Sequence, residues 1–111
     1  MGTLNIRMMG SFSINKDRED LFSKLSSKSA AIIALLVCNE NRKMARDKLA
    51  SVLWADSFET ANYNLRYNLW NIKKVIPCDD SGNEFIISTK DYCCINPDYS
   101  FECDLMALEG I

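Results

Sequence analysis

Histidine is absent from this chain of 111 residues. That removes Ser-His and Cys-His nucleophilic catalysis and the commonest metal ligand, leaving a hydrolase or oxidoreductase little to work with. Long apolar runs are missing as well. The longest, from Ala30 to Cys38, is about half of what a membrane span requires, and no basic segment with a cleavage site precedes it. Membrane and secretory classes are therefore not expected. The five cysteines are odd in number, Cys93 and Cys94 are adjacent, and no C-x-x-C occurs. A disulfide framework or zinc ribbon is disfavoured, and reduced thiols in a cytoplasmic protein are expected. Neither a catalytic residue nor a metal or cofactor is expected. Glycine and proline are few, four and two, as in ordinary globular chains.

What is present suits one domain. Apolar residues make up 48% and charged residues 25%, and a chain of this length can bury roughly two-thirds of its unfolded surface. The net charge of −2 hides a split: residues 1–78 carry 12 basic and 7 acidic side chains, residues 79–111 carry 1 and 8. This permits an anionic partner on the first part, although the whole-chain field would not draw nucleic acid from a distance.

Leu4, Ile6, Met8, Phe12 and Ile14 alternate with polar neighbours, which predicts a small antiparallel N-terminal sheet, with Leu21-Phe22 as a short third strand. Ser26 or Ser27 can cap a first helix over residues 27–40. That helix is apolar nearly all round, as a central one would be, with Cys38 as a small buried hydrophobe. A second helix is predicted over 46–54, with Trp54 as its core anchor. Asp56-Ser57-Phe58-Glu59 resembles a capping box opening a third helix over 58–76, stopped by Pro77. Asp79-Asp80 before Ser81-Gly82 predicts a solvated turn, not a catalytic or Mg²⁺ pair. Phe85–Ser88 and Tyr92–Ile95 predict a hairpin. Cys93 and Cys94 then point to opposite faces and cannot clamp one metal. Residues 103–108 resemble the start of a further helix.

The third helix carries the informative pattern. Ala61, Leu65, Leu69, Ile72 and Ile76 form one apolar stripe for the core. Opposite lie Tyr63, Arg66, Tyr67, Trp70, Asn71 and Lys74, with Asn62 and Lys73 at the edge. Three aromatics among cations and amides suit a ligand better than water. For DNA, Arg and Lys neutralise phosphates or reach guanine, Asn can contact adenine, and Tyr can reach phosphate through its hydroxyl and thymine methyls through its ring. The bland alternative is that Tyr67 and Trp70 pack beneath the hairpin or against another subunit.

Arg46-Asp47-Lys48-Leu49 through Leu53-Trp54-Ala55-Asp56, then Ala61, Leu65, Leu69 and Ile72-Lys73 before the hairpin, resemble the winged helix-turn-helix effector domain of OmpR/PhoB-type regulators. The closer likeness is to the N-terminal domain of SARP-like activators, in which a helical bacterial transcriptional activation domain follows. It covers nearly all of residues 4–109. The fold it implies is α+β: a small N-terminal antiparallel sheet, a three-helix core and a C-terminal β-hairpin wing over residues 1–102. Residues 103–111 would then be a linker or the start of the helical domain.

By position, the third helix would be the recognition helix in the major groove and the hairpin the wing, reaching the adjacent minor groove. The implied site comprises Asn62, Tyr63, Arg66, Tyr67, Trp70, Asn71, Lys73, Lys74 and the wing's one cation, Lys90. The implied partner is double-stranded DNA at promoter direct repeats, with RNA polymerase a further one, for a bacterial regulator that is a monomer or weak dimer without DNA. Three residues depart from the pattern: Ala45 in place of a Ser or Thr cap, Lys73 for an Arg, and Trp70 for a small or basic residue. The alternative function is a winged helix that contacts protein and not DNA.

Overall fold

The structure is a computed structural model that describes residues 4–8, 12–16, 18–55 and 58–103. Among the described residues it is α+β, with three helices and two small sheets. The first sheet holds β1 (Leu4–Arg7), β2 (Ser13–Lys16), β3 (Glu19–Asp20) and β7 (Phe101–Cys103), in the order β3-β2-β1-β7. β1 and β2 pair antiparallel with Ile6 opposite Ile14, and alternate residues Leu4 and Ile6 are buried. β1 and β7 pair in parallel, Ile6 opposite Cys103. A parallel pair needs a long crossover, and here the crossover is the rest of the described chain.

The N-terminal sheet is therefore mixed and not wholly antiparallel. Two local expectations are corrected with it. Leu21-Phe22 is not the third strand: Asp20 Oδ1 accepts the Phe22 N–H at 3.0 Å, and this turns the chain into a single 3-10 turn over Phe22–Lys24. Cys103, expected at a helix start, is buried in β7, because Tyr99, Phe101 and Cys103 alternate inward. Residues 104–108, the rest of that expected helix, lie outside the described residues, as do Asp56 and Ser57 of the capping box.

α1 (Ser27–Cys38) begins at Ser26, whose side chain accepts the Ser29 N–H at 3.0 Å. Ser29, Ala30, Ile32, Ile33, Leu36 and Val37 are buried. Cys38 is exposed, contrary to expectation. It lies seven residues after the half-buried Ala31, on the outer side of the last turn, where an apolar sequence does not guarantee cover. Asn41 and Arg42 follow in the left-handed region and reverse the chain into β4 (Lys43–Ala45).

β4, three residues long, has no local signature in the sequence. It pairs with β6 (Tyr92–Ile95), which pairs in turn with β5 (Ile86–Ser88), giving the order β4-β6-β5. α2 (Arg46–Leu53) and α3 (Phe58–Val75) follow β4 and pack on α1. Trp54 is half-buried against the core, with Lys28 Nζ 5.8 Å from its ring centroid. Between α3 and β5, Asp79 Oδ1 accepts the N–H groups of Ser81 and Asn83 at 2.9 and 2.8 Å. Asn83 Nδ2 donates to Asp79 Oδ2 at 3.0 Å, and this bond first, with the backbone ones, holds the carboxyl below the usual carboxylate range. The pair is a turn, closed by Gly82 at φ +85°.

Candidate nucleic-acid interface

α3 is amphipathic in the sense expected: Ala61, Leu65, Ile72 and Ile76 are buried, and Leu69 packs at the edge of the core. Eighteen residues give it a length of about 27 Å. A second buried side chain type lies beside the stripe. Asn68 is 7% exposed; its Oδ1 accepts from the hydroxyls of Ser26 and Ser29 at 2.5 and 3.0 Å, and its Nδ2 donates to Asn64 O at 2.7 Å. The start of α1 is thereby bolted to the middle of α3.

The opposite face is open. Tyr63 is 73% exposed, and Tyr67 and Trp70 are each 54% exposed. They stand one above the next at i, i+4 and i+7, on one line along the helix. The rings of Tyr67 and Trp70 are 5.9 Å apart, and Lys74 Nζ lies 5.0 Å from the Trp70 ring centroid. Arg66 is exposed beside them. Trp70 is a ridge between two clefts. One, of about 800 Å³, separates α3 from Lys16, Glu19, Leu21 and Lys24 of the β2–β3 region. The other, of about 300 Å³, is mostly apolar and runs between α3 and β5, against Phe85 and Ile86, with Lys73 and Glu84 also in its lining.

The nine residues singled out from the sequence separate here. Tyr63, Arg66, Tyr67, Trp70 and Lys74 share the open face. Asn71 is half-buried, and its Oδ1 accepts the Ser26 N–H at 3.1 Å, so that oxygen serves the fold. Lys73 turns the other way and pairs with Glu84 at 2.9 Å; the Glu84 hydrogen bond and charge raise its pKa. Asn62 lies beside α2, across a depression of about 460 Å³ from Asp47, Lys48 and Ser51. Lys90 is exposed in the β5–β6 turn.

Three cations that sequence reading did not select, Lys16, Lys24 and Lys48, border these depressions. Their only sequence signal is charge, which cannot say that β2, the 3-10 turn and α2 come beside α3. Lys24 is ion-paired with Glu19. Among the described residues no group of His, Cys, Asp and Glu is placed to hold a metal ion, and no helix is long and apolar enough to cross a membrane. Cys93 is buried and Cys94 half-buried on the other face of β6; burial pushes the Cys93 thiol up, away from the reactive thiolate.

No family model, no curated protein and no solved structure matches this chain.

Proposed function

We propose that this chain binds double-stranded DNA through the open face of α3, as the winged helix-turn-helix effector domain of a bacterial transcriptional regulator of the SARP-like kind. The observation that carries the reading is the face itself. A helix whose other side is buried presents three exposed aromatics in line with Arg66 and Lys74, where a merely solvated helix would carry Glu, Lys and Gln. Three further features support it. α2 precedes α3 after a short connection, as in a helix-turn-helix; the β5–β6 hairpin follows α3; and β4, between α1 and α2, ties that hairpin to the helices.

In this reading Arg66 and Lys74 meet phosphates, Lys48 approaches the backbone beside Asn62, and Tyr63, Tyr67 and Trp70 face base edges. Lys90 at the hairpin tip is the wing's single cation. RNA polymerase is a further partner in this reading, and binding at direct repeats adds affinity through effective concentration.

Fluorescence anisotropy with labelled duplexes at 50 and 200 mM salt tests this. Neutralising about four phosphates predicts a loss of about a hundredfold in affinity between the two conditions. Arg66→Ala and Lys74→Ala should each weaken all sequences alike and flatten the salt slope by about one. A folded protein with no affinity for any duplex at 50 mM salt would refute the proposal. In that case the exposed Tyr67–Trp70 pair between two clefts favours the protein-contact alternative.

A further inference from the structure

The amides of α3, and Lys73 beside them, are largely engaged by other groups of the protein. Asn68 is consumed by Ser26, Ser29 and the Asn64 carbonyl. Asn64 donates to Thr60 Oγ1 at 3.3 Å, Asn71 accepts from Ser26, and Lys73 is held by Glu84. Asn62 is off the line, beside α2. What the open face keeps, beside Arg66 and the two tyrosine hydroxyls, is aromatic carbon, with Lys74 itself drawn over the Trp70 ring. From Tyr63 to Trp70 the line rises about 10 Å, or about three base-pair steps.

In the major groove the one apolar group on any base edge is the thymine C5-methyl. We infer that α3 selects its DNA by thymine methyls seated on Tyr67 and Trp70, so that sequence preference comes from apolar contact and not from hydrogen-bonded base pairs. The inference rests on the proposed DNA binding through α3 and names what that face distinguishes. Arg66 and Lys74 would supply charge attraction common to all duplexes, and the rings would supply the difference between them.

The decisive probe removes the methyl and nothing else. Duplexes of 24 base pairs, alternating dA-dT or alternating dA-dU, keep the same Watson–Crick edges and phosphates. Alternating dG-dC with or without 5-methylcytosine adds the methyl to a different pair. Burying one methyl is worth about fourfold in affinity, so two seated methyls predict about a tenfold or greater preference for the thymine over the uracil duplex. Methylating cytosine should tighten binding severalfold. Tyr67→Ala and Trp70→Ala, with far-UV circular dichroism unchanged, should bring the thymine-to-uracil ratio towards one.

Measurable binding with equal affinity for the thymine and uracil duplexes would overturn the inference while leaving DNA binding in place. A preference that survives in both alanine variants would overturn the assignment to these two rings. Absence of binding to all four duplexes would overturn the proposed function and the inference with it.

Discussion

Asn68 is the side chain on which two elements depend. Buried polar groups are costly when unpaired, about 1–3 kcal/mol each, and Asn68 supplies the acceptor for two hydroxyls at once. Asn68→Ala should therefore lower the unfolding free energy by about 2–4 kcal/mol in urea titration, well beyond Ser26→Ala, which loses a cap of about 1 kcal/mol. A cost below 1 kcal/mol would mean that the hydroxyls are satisfied by their other bonds, Ser26 to Ser29 Oγ at 2.9 Å and Ser29 to the Asn68 carbonyl at 3.1 Å. Tyr99 makes a pH-dependent contribution. Its hydroxyl donates to Pro77 O at 2.9 Å, and burial, with Asp79 nearby, pushes its pKa from 10.0 to about 12. The raised value means that the fold favours the neutral phenol. Its contribution is complete below pH 10 and is lost as pH rises towards 12, because the unfolded chain ionises first. The melting temperature should fall across that interval, and by less in Tyr99→Phe, which has no proton to lose.

α2 starts without a side-chain cap: Ala45 has the extended backbone of an N-cap, φ −61° and ψ 141°, but no oxygen to offer. Its position is exposed on β4. Ala45→Ser should stabilise the protein by about 0.5–1 kcal/mol, seen as a higher urea midpoint at unchanged slope. An unchanged midpoint would show that the cap hydroxyl cannot reach the first turn of α2. Helices were legible in the sequence because their signal is local: the stripe from Ala61 to Ile76 and the capping Ser26 mark α3 and α1 within a residue or two. The β5–β6 hairpin was legible for the same reason. β4 and β7 were not, being three residues each, with partners remote in the chain. Met44 facing Cys93 and Cys103 facing Ile6 are facts of pairing that no local window contains. The site divides similarly. Helical spacing puts Tyr63, Arg66, Tyr67, Trp70 and Lys74 on one face, but it cannot say that Ser26 takes Asn71 or that Glu84 takes Lys73.

Binding an anion with a chain of net charge −2 requires that local charge outweigh the total, and screening makes this feasible. At 0.1 M salt the Debye length is about 10 Å, so acidic groups on the far side of a body 40 by 30 by 25 Å act weakly at α3. Near acids matter more: Glu19 and Asp80 border the cleft beside Trp70, and Glu84 holds Lys73 at 2.9 Å. Both partners are largely exposed, with side-chain accessibilities of 70% and 47%, so the pair adds little to stability. Glu84→Gln removes a negative charge and releases Lys73 on the edge of α3, where its ammonium can serve a phosphate. The variant should leave the urea midpoint nearly unchanged, bind every duplex a few-fold more tightly at 50 mM salt, and steepen the salt slope by about one. Glu84→Gln combined with Lys73→Ala should lose that added slope, which separates a newly used cation from a mere fall in repulsion. If the single variant binds no better than the wild type, Lys73 lies out of reach of the backbone, and the DNA passes on the Tyr63, Arg66 and Lys74 side of α3.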